Sequence, residues 1–244
     1  MTEDAAVTGF ADAHMHIVDV GAKGGYPDID DAALLLSCTA SFDEWEPQRR
    51  MAAADARIRP FYGVHPWHAE TAPADYLEVL RGMLEDDGRA GVGEIGIDKL
   101  HPGPETQMRI FVEQMETAAE TARPATVHMV KTEAETLKVV RMHSGDVPVI
   151  LHSYAGDPGY TKAFSAENCY FSISSRILRM SQPRAMRILS AIPDDRLLVE
   201  TDAPIRDHAY GSMGLFLIAL AALRSTSVDE LVGLTTANTL RAIG

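Results

Sequence analysis

The amino-acid sequence predicts an α/β protein, a single (β/α)8 TIM barrel, from three observations. Short apolar runs alternate with longer amphipathic segments along 244 residues, close to the roughly 250 residues typical of such a barrel. The apolar runs end at intervals of roughly 22 to 34 residues, near the average of about 31 residues per strand–helix unit. Histidine and carboxylate side chains follow several of these runs, and the carboxyl ends of barrel strands meet at one mouth.

Each predicted strand is a short run of apolar residues bounded by turn residues. The eight predicted strands span residues 9–16, 33–39, 59–65, 90–95, 125–129, 147–153, 169–174 and 197–202. Helical periodicity predicts helices over residues 43–57, 73–87, 104–121, 132–143, 158–165, 182–192, 215–224 and 228–242. Ser227 with Glu230 three residues later is a capping box, and Pro73 and Pro104 suit a first helical turn.

Composition limits the function classes. The chain has 22 lysine and arginine residues against 35 aspartate and glutamate residues, a formal net charge of −13 with histidine neutral. A surface of this sign repels phosphate backbones, which argues against tight non-specific DNA binding. The negative charge does not exclude a nucleic-acid substrate, because bound metal ions can reverse the sign of the charge inside a pocket. No linker or repeat divides the chain, so we expect one domain over residues 1–244.

Cysteine usage and the N-terminal sequence predict a cytoplasmic protein. Cys38 and Cys169 are too few for a disulfide framework, and each lies in an apolar run. The acidic start of the chain lacks the basic and apolar regions of a signal peptide. The longest apolar stretch, residues 214–223, is shorter than the roughly 20 residues that cross a bilayer, so we expect no membrane contact.

A metal site is predicted at the barrel mouth. His14 and His16 are separated by one residue in the first predicted strand, so both side chains face one side, the barrel interior. Asp12 lies on the same face and is suited to orient a ligand. An isolated pair of histidines would fit a polar strand face equally well, so the prediction depends on further residues.

Four such residues follow along the chain. Glu94 lies in an apolar strand, where an unpaired carboxylate is costly and a cation would compensate it. His128 and His152 end two successive predicted strands, and Asp202 ends the eighth. Each alone suits a hydrogen-bonded core or loop residue, but all of them together favour a divalent-metal centre. An open doubly wound sheet, the alternative fold, would not bring the first and eighth strands together, so this ligand set favours the closed barrel.

Six segments, in order along the chain, resemble the TatD-type metal-dependent hydrolases of the amidohydrolase superfamily. They are Asp12-Ala13-His14-Met15-His16, Gly63-Val64-His65-Pro66, Gly93-Glu94-Ile95-Gly96-Ile97-Asp98, Val127-His128, Leu151-His152-Ser153-Tyr154-Ala155-Gly156 and Glu200-Thr201-Asp202-Ala203-Pro204. Ala237-Asn238-Thr239-Leu240-Arg241 resembles the C-terminal signature of that family. The resemblance implies a barrel with two divalent metal ions, zinc, manganese or magnesium, and activity as a deoxyribonuclease or on related phosphodiesters.

The resemblance also implies a role for each matching residue. One metal ion would be held by His14, His16 and Asp202, the other by His128 and His152, with Glu94 bridging them. Asp202 would also be the catalytic general base. His65 would donate a hydrogen bond to a phosphate or carbonyl oxygen of the substrate, with an ordinary loop histidine as the alternative.

Departures from the family pattern concern the substrate. Where the family usually has a small residue and then an arginine after the fifth-strand histidine, this chain has Met129-Val130-Lys131, and Lys131 would supply part of the phosphate-binding charge. Ser153-Tyr154 replaces the commoner Cys-Phe. The loop after Pro204 is shorter than usual and lacks the Asn-Glu-Pro element. Three residues suit either new substrate contacts or a solvated loop: Lys99, Arg206 and His208.

The leading hypothesis is a two-metal hydrolase that binds DNA or another phosphodiester transiently and cleaves it with metal-activated water. A hydrolase of the same fold acting on a small ester, amide or lactone is the first alternative, favoured by the acidic surface and the missing arginine. A non-catalytic metal-binding barrel is the second, although each predicted ligand and the base are present.

Overall fold

Eight parallel strands form one sheet in the computed structural model, which describes residues 7–204 and 212–244. The strands are β1 (Phe10–Met15), β2 (Ala32–Cys38), β3 (Ile58–Tyr62), β4 (Gly91–Asp98), β5 (Ala125–Val130), β6 (Val149–Leu151), β7 (Cys169–Ile173) and β8 (Leu197–Val199). Neighbours in the sheet are neighbours in sequence, and every pair is parallel. The predicted (β/α)8 barrel is confirmed.

The barrel closes where the chain leaves β8. Met15 and Ala203 form a parallel bridge between β1 and this segment. Beside the bridge, the backbone N–H of Asp202 donates to the His14 carbonyl at 3.0 Å, and the N–H of His16 donates to the Ala203 carbonyl at 2.8 Å. The seam between the first and last strands therefore holds Asp202 against His14.

Helices follow the strands and cover the outside of the sheet. They are α1 (Ile17–Lys23), α2 (Trp45–Ala54), α3 (Tyr76–Asp86), α4 (Pro104–Glu120), α5 (Glu133–His143), α6 (Pro158–Ser165), α7 (Gln182–Ala191), α8 (Met213–Arg224) and α9 (Val228–Ile243). The main apolar core packs buried helix residues such as Trp45, Phe111 and Phe216 with the strands. Within the described part of the chain, no helix is long and apolar enough to cross a membrane.

Helix boundaries test the capping signals in the sequence. The capping box of Ser227 and Glu230 begins α9, and Pro104 is the first residue of α4, as predicted. The prediction for Pro73 is wrong, because α3 begins at Tyr76, whose N–H donates to the Pro73 carbonyl in a turn before the helix.

Helix α1 has no counterpart among the predicted elements. It has only seven residues, begins directly after His16, and is followed by Gly24 with a positive φ of 69°. A Cβ atom on Gly21 would lie 3.1 Å from the Met51 side chain, so the glycine lets α1 approach α2 closely. So short a segment gives too little apolar periodicity to be recognised from the sequence.

Four strand ends differ from the prediction by two residues or more. Strand β4 continues to Asp98 instead of residue 95, because Gly96 at φ 141° stays paired with His128, whose carbonyl oxygen would lie 2.0 Å from any added Cβ. Glu94 is therefore inside the strand, not at its end. Strands β3, β6 and β8 end earlier than predicted, and positive φ angles follow β6 and β8, at Ser153 (46°) and Asp202 (56°).

Candidate metal centre

Glu94 lies at the centre of the site, and its two carboxylate oxygens face different sets of histidines. Oε2 lies 3.3 Å from Nε2 of His14 and 3.5 Å from Nε2 of His16. Oε1 lies 2.8 Å from Nδ1 of His128 and 3.3 Å from Nε2 of His152. This carboxylate is only 2% exposed, and its two oxygens divide the surrounding ring nitrogens into two sets.

Asp202 completes one side of the site. Its Oδ1 lies 3.8 Å from Nε2 of His14 and 3.9 Å from Nε2 of His16, and its side chain is 26% exposed. Three groups have ligand atoms within 4.8 Å of one another: His14 with His16 and Glu94; His14 with His152 and Asp202; His65 with Glu94 and His128. The structure thus brings all six predicted ligands together, and it adds His65 to the same cluster.

In His16 and His152, a hydrogen bond of Nδ1 orients the ring so that Nε2 faces the site. Nδ1 of His16 lies 3.0 Å from the Cys38 carbonyl, which can only accept, so Nδ1 carries the proton. Nδ1 of His152 lies 3.1 Å from Oε1 of Glu200, which also accepts the N–H of Ser153. In both rings the Nε2 lone pair is therefore free, which is the form that binds a metal ion.

His65 has the opposite tautomer. Its Nδ1 accepts the backbone N–H of Trp67 at 3.2 Å, so the proton of the neutral ring is on Nε2. Nε2 lies 3.4 Å from Oε1 of Glu94. A protonated Nε2 donates a hydrogen bond and has no lone pair for a cation, so this geometry suits the predicted substrate contact better than a metal ligand.

The site carries an observation that points to a cation. His14 is fully buried, yet neither of its ring nitrogens has a hydrogen-bond partner in the described part of the chain. A buried polar atom without a partner is costly. A divalent cation beside Nε2, Glu94 and Asp202 would satisfy Nε2, and imidazole with carboxylate is a donor set that such cations accept.

The electrostatics of the site agree with this donor set. Burial alone would raise the pKa of the Glu94 carboxyl, but the facing imidazoles of His152, His65 and His14 hold that pKa well below its usual range. Burial lowers the pKa of His152 well below its usual value and also lowers the pKa of His65. Burial also disfavours the charged form of His14 and His128, but Cys38 and Glu94 raise the pKa of His14 well above its usual value, and Glu94 raises the pKa of His128. At neutral pH His152 and His65 therefore face the ionised carboxylate as neutral rings, whereas a cation that binds His14 or His128 displaces a proton.

Two carboxylates behind the ligands were not assigned roles from the sequence. Glu200 orients His152, and burial raises the pKa of Glu200 to about 7. Asp98 lies 3.4 Å from Nε2 of His128 and accepts the indole N–H of Trp67 at 2.7 Å. The signal that identified Glu94, a carboxylate in an apolar run, also applies to both of them.

Asp12 acts through the backbone. It accepts the N–H of His14 at 3.2 Å and both the N–H and the hydroxyl of Thr201, at 3.0 and 2.5 Å. The expected contact with a ligand ring is therefore replaced by bonds that tie β1 to the segment after β8. Burial raises the pKa of the Asp12 carboxyl to about 6.

The site opens into a cavity of about 810 Å³ at the barrel mouth. We call its six predicted ligands the floor: His14, His16, Glu94, His128, His152 and Asp202. We call five residues around them the rim: Trp67, Leu100, His101, Arg176 and Arg179. The aromatic and apolar rim residues follow β3 and β4, whereas the two arginines follow β7, so the rim has an aromatic side and a cationic side.

Some predicted substrate contacts lie elsewhere. Lys131 is exposed, with φ 56°, and the described cavity lining includes Val130 but not Lys131. Lys99 is also exposed and outside that lining. Arg206 and His208 lie outside the described residues. The arginines of the rim were not singled out, because nothing in the local sequence after β7 marks them as facing the mouth.

Comparison with known proteins identifies a family for this chain. A family model described as TatD related DNase matches residues 11–244. A protein of Mycobacterium tuberculosis named "Uncharacterized metal-dependent hydrolase TatD" is 26% identical over 260 residues, covering 96% of this chain and 97% of the relative. A protein of Erwinia tasmaniensis named "3'-5' ssDNA/RNA exonuclease TatD" is 28% identical over 166 residues, 64% of each chain.

Solved structures show the same architecture. YJJV, a TatD homolog from Escherichia coli K12, matches with a TM-score of 0.86 at 20% identity, covering 96% of this chain and 97% of that one. A TatD family hydrolase from Entamoeba histolytica matches with a TM-score of 0.79 at 15% identity, covering 98% and 99%. At these identities the likeness concerns the fold.

Proposed function

Because this chain belongs to the TatD-related DNase family of metal-dependent hydrolases, we propose that it cleaves phosphodiester bonds in single-stranded nucleic acid, DNA foremost. The observation that carries this proposal is the division of the Glu94 oxygens between two sets of histidines. Paired metal sites of this kind suit phosphodiester hydrolysis, since two cations clamp both the attacking and the leaving oxygen.

The floor residues fit two divalent ions. The proposed ligands of one are His14, His16 and Asp202, those of the other are His128 and His152, and Glu94 lies between the two sets. Zinc, manganese and magnesium are the candidate ions. When bound, such ions supply Lewis-acid activation of water and neutralise charge on the phosphate oxygens.

Asp202 is the proposed general base. Its Oδ1 faces His14 and His16, while its Oδ2 lies 3.6 Å from Nη2 of Arg176 at the cavity mouth. The carboxylate thus lies between the floor histidines His14 and His16 and the cavity mouth, and its partial exposure lets water reach it. In this position it takes a proton from the attacking water.

His65 is the proposed hydrogen-bond donor to the substrate. The Trp67 N–H holds Nδ1 as an acceptor, so the Nε2 proton is directed toward Glu94 and the floor. A non-bridging phosphate oxygen placed over the floor would accept a hydrogen bond from this N–H group. A fixed donor of this kind stabilises charge that develops in the transition state.

Arg176 is the proposed phosphate contact on the cationic side of the rim. Its Nη1 donates to the Ser153 hydroxyl at 3.4 Å, and its side chain is 62% exposed at the cavity mouth. An arginine here can bind a phosphate through two parallel N–H groups. It would take over the role predicted for Lys131, whose own contact with substrate remains a prediction.

A second candidate function is hydrolysis of a small ester, amide or lactone. Two observations favour it: the net charge of −13 opposes polyanion binding, and Lys131, the expected replacement for the family arginine, does not line the cavity. A panel of small esters and lactones, assayed beside single-stranded DNA, compares the two functions directly.

The first experiment measures metal content per chain and nuclease activity on the same protein sample. We expect two metal ions by elemental analysis, and cleavage of single-stranded DNA that depends on added manganese, magnesium or zinc. Two metal ions with turnover only on the small-molecule panel would favour the second candidate. A chain that binds no metal under any loading condition would contradict both.

We propose the cytoplasm as the compartment, because both cysteines are buried and form no disulfide, and a nucleic-acid strand as a transient partner. The acidic surface supports transient contact, because it provides no general attraction for a phosphate backbone outside the mouth. Binding would then depend on the floor and the rim alone.

A further inference from the structure

The indole ring of Trp67 is exposed at the mouth and is held in one orientation, and we propose that it is a stacking platform for a nucleobase. This inference rests on the proposed function, since it places a base of the nucleic-acid substrate beside the phosphodiester that is cleaved. It assigns to the aromatic side of the rim a role separate from phosphate binding.

The exposure of Trp67 is unusual for so large an apolar ring. The residue is 55% exposed, whereas the other tryptophan of the chain, Trp45, is 1% exposed. Leu100, on the same rim, is 65% exposed. Apolar side chains gathered at a cavity mouth mark a surface that a ligand covers, because burying them removes apolar area from water.

Contacts on its edges and one face hold the ring in place. Its Nε1 donates to Oδ2 of Asp98 at 2.7 Å. The ring of His101 stacks on it with centroids 4.3 Å apart and an interplanar angle of 26°. His65 meets it edge to face, at 4.9 Å and 86°. A ring already fixed in this way loses little conformational entropy when a base stacks on it.

The exposed side of the indole is the one available to a ligand, because more than half of Trp67 is open to solvent although His101 covers one face. Within residues 7–204 and 212–244, His101 is the only ring that lies roughly parallel to Trp67, while His65 and His128 meet it at 86° and 74°. A nucleobase on the remaining face would form a three-layer stack with Trp67 and His101. Stacking of this kind tolerates any base, since every base has a π-face.

The platform also lies close to the floor residues. Asp98 contacts both Trp67 and Nε2 of His128, and the centroids of these two rings are 6.3 Å apart. A base on Trp67 therefore lies beside the predicted metal ligands, within the reach of its own phosphate. Arg176 lies beyond Asp202 on the other side of the floor, where the next phosphate of the strand would pass.

The negative net charge of the protein makes an uncharged contact with the substrate important for binding. With a net charge of −13, long-range attraction of a polyanion is weak, so binding must come from contacts inside the mouth. Stacking on an uncharged ring is independent of this unfavourable field. It also requires an unpaired base, which favours single strands over duplexes.

The test combines a change in the protein with a change in the substrate. Metal-loaded wild type, Trp67→Ala, Trp67→Phe and Met142→Ala are assayed on a short single-stranded DNA and on the same strand with an abasic site at each terminal position in turn. We expect Trp67→Ala to lower kcat/KM about 10-fold, mainly through KM, and Trp67→Phe, which keeps a ring, to stay within about 3-fold. Met142→Ala is the matched control, an apolar residue 63% exposed on α5 and outside the cavity lining, and it should change kcat/KM less than about 2-fold.

The abasic substrates separate stacking from a structural effect. At one of the two positions, the abasic site should lower kcat/KM for wild type but cause no further loss in Trp67→Ala. The two losses do not add there, because each change removes one partner of the same stack. Equal activity of Trp67→Ala and wild type would overturn the platform. If Trp67→Ala lowered kcat/KM by the same factor on every abasic strand, the platform would also be overturned, since the loss would then come from disturbing Asp98 and His128.

A spectroscopic measurement provides a second readout. On rapid mixing of metal-loaded protein with DNA, we expect tryptophan emission to fall at once in wild type and to recover as substrate is consumed, with no such fall in Trp67→Phe. Buried Trp45 is present in both proteins as an internal reference. DNA cleavage without a Trp67-dependent signal would overturn the platform alone, whereas metal-loaded wild type that cleaves no single strand would overturn the proposed function and the platform together.

Discussion

The floor and the rim of the barrel mouth differ in how their side chains are held. On the floor, Glu94 is 2% exposed and surrounded by imidazoles, and the rings of His16 and His152 are oriented by a carbonyl and a carboxylate behind them. On the rim, Trp67 and the Arg176 side chain are more than half exposed. The floor is suited to bind ions of fixed geometry, and the rim is suited to bind a longer and more variable substrate.

This comparison predicts a division of effects. Floor substitutions should alter metal content and abolish turnover for every substrate, because they remove groups that no solvent can replace. Rim substitutions should raise KM and leave the metal content unaltered. The following variants test that division, beginning with the largest expected effect.

Glu94→Gln should abolish hydrolysis of DNA and of small phosphodiesters, by at least about 1000-fold in kcat. The amide keeps the shape of the side chain but removes the charge shared by both histidine sets. Elemental analysis of the purified variant should show fewer than two metal ions per chain. Near-normal activity with metal present would show that Glu94 does not join two cations.

His65→Gln should lower kcat on DNA about 100-fold, with metal content unchanged, because it removes one fixed hydrogen-bond donor. His65 lies on the boundary of the comparison, since it is as buried as a floor residue but carries its proton on Nε2. Metal analysis and kcat are measured on the same sample. Loss of a metal ion from this variant would place His65 among the ligands, in the group it forms with Glu94 and His128.

Glu200→Gln should change how the stability of the metal-free protein depends on pH. Burial raises the pKa of Glu200 to about 7, from a usual value of 4.5, so between these values the folded protein binds this proton more tightly than the unfolded chain. The contribution of Glu200 to stability is therefore fully present below pH 4.5 and is lost as the pH rises through 7.

The glutamine variant has no such proton to lose. Relative to wild type, it should gain on the order of 1–3 kcal/mol in free energy of unfolding between about pH 5 and about pH 8. Urea titrations of both metal-free proteins at each pH measure the difference. A difference independent of pH would show that Glu200 titrates at the same pH in the folded and unfolded chains.

Arg176→Ala should have the smallest effect, a rise of about 10-fold in KM for single-stranded DNA with kcat nearly unchanged. The salt dependence of kcat/KM should also weaken, because one phosphate contact is lost. Lys131→Ala is the matched control, a cation near the mouth but outside the cavity lining. A larger effect of Lys131→Ala than of Arg176→Ala would reverse the assignment of the phosphate contact.

Most of the floor could be predicted because its signals are local. His152 directly follows the three buried apolar residues of β6, and His14 and His16 alternate around one buried methionine. A polar residue after an apolar strand of a barrel faces the mouth, whatever its partners are. The ends of β6 and β8 were placed too late, because the positive φ angles of Ser153 and Asp202 are set by contacts across the sheet.

The rim could not be predicted, because its contacts join distant segments. Trp45 and Trp67 are the same residue type, yet the indole N–H of Trp45 donates to the buried carbonyl of Gly63 and that of Trp67 donates to Asp98 at the mouth. These partners are 18 and 31 positions away in sequence. The pairing of Glu200 with His152 spans 48 positions, so no local pattern contains it.

The seam of the barrel gives the order in which the metal centre is completed during synthesis. A growing chain that has emerged as far as β7 already contains five of the six floor residues, but Asp202 and the bridge from Ala203 to Met15 are still missing. Until that last segment arrives, His14 faces Glu94 but lacks both the second carboxylate, that of Asp202, and the backbone hydrogen bond to its own carbonyl. The full set of candidate ligands is therefore assembled late, once almost the whole polypeptide has been made.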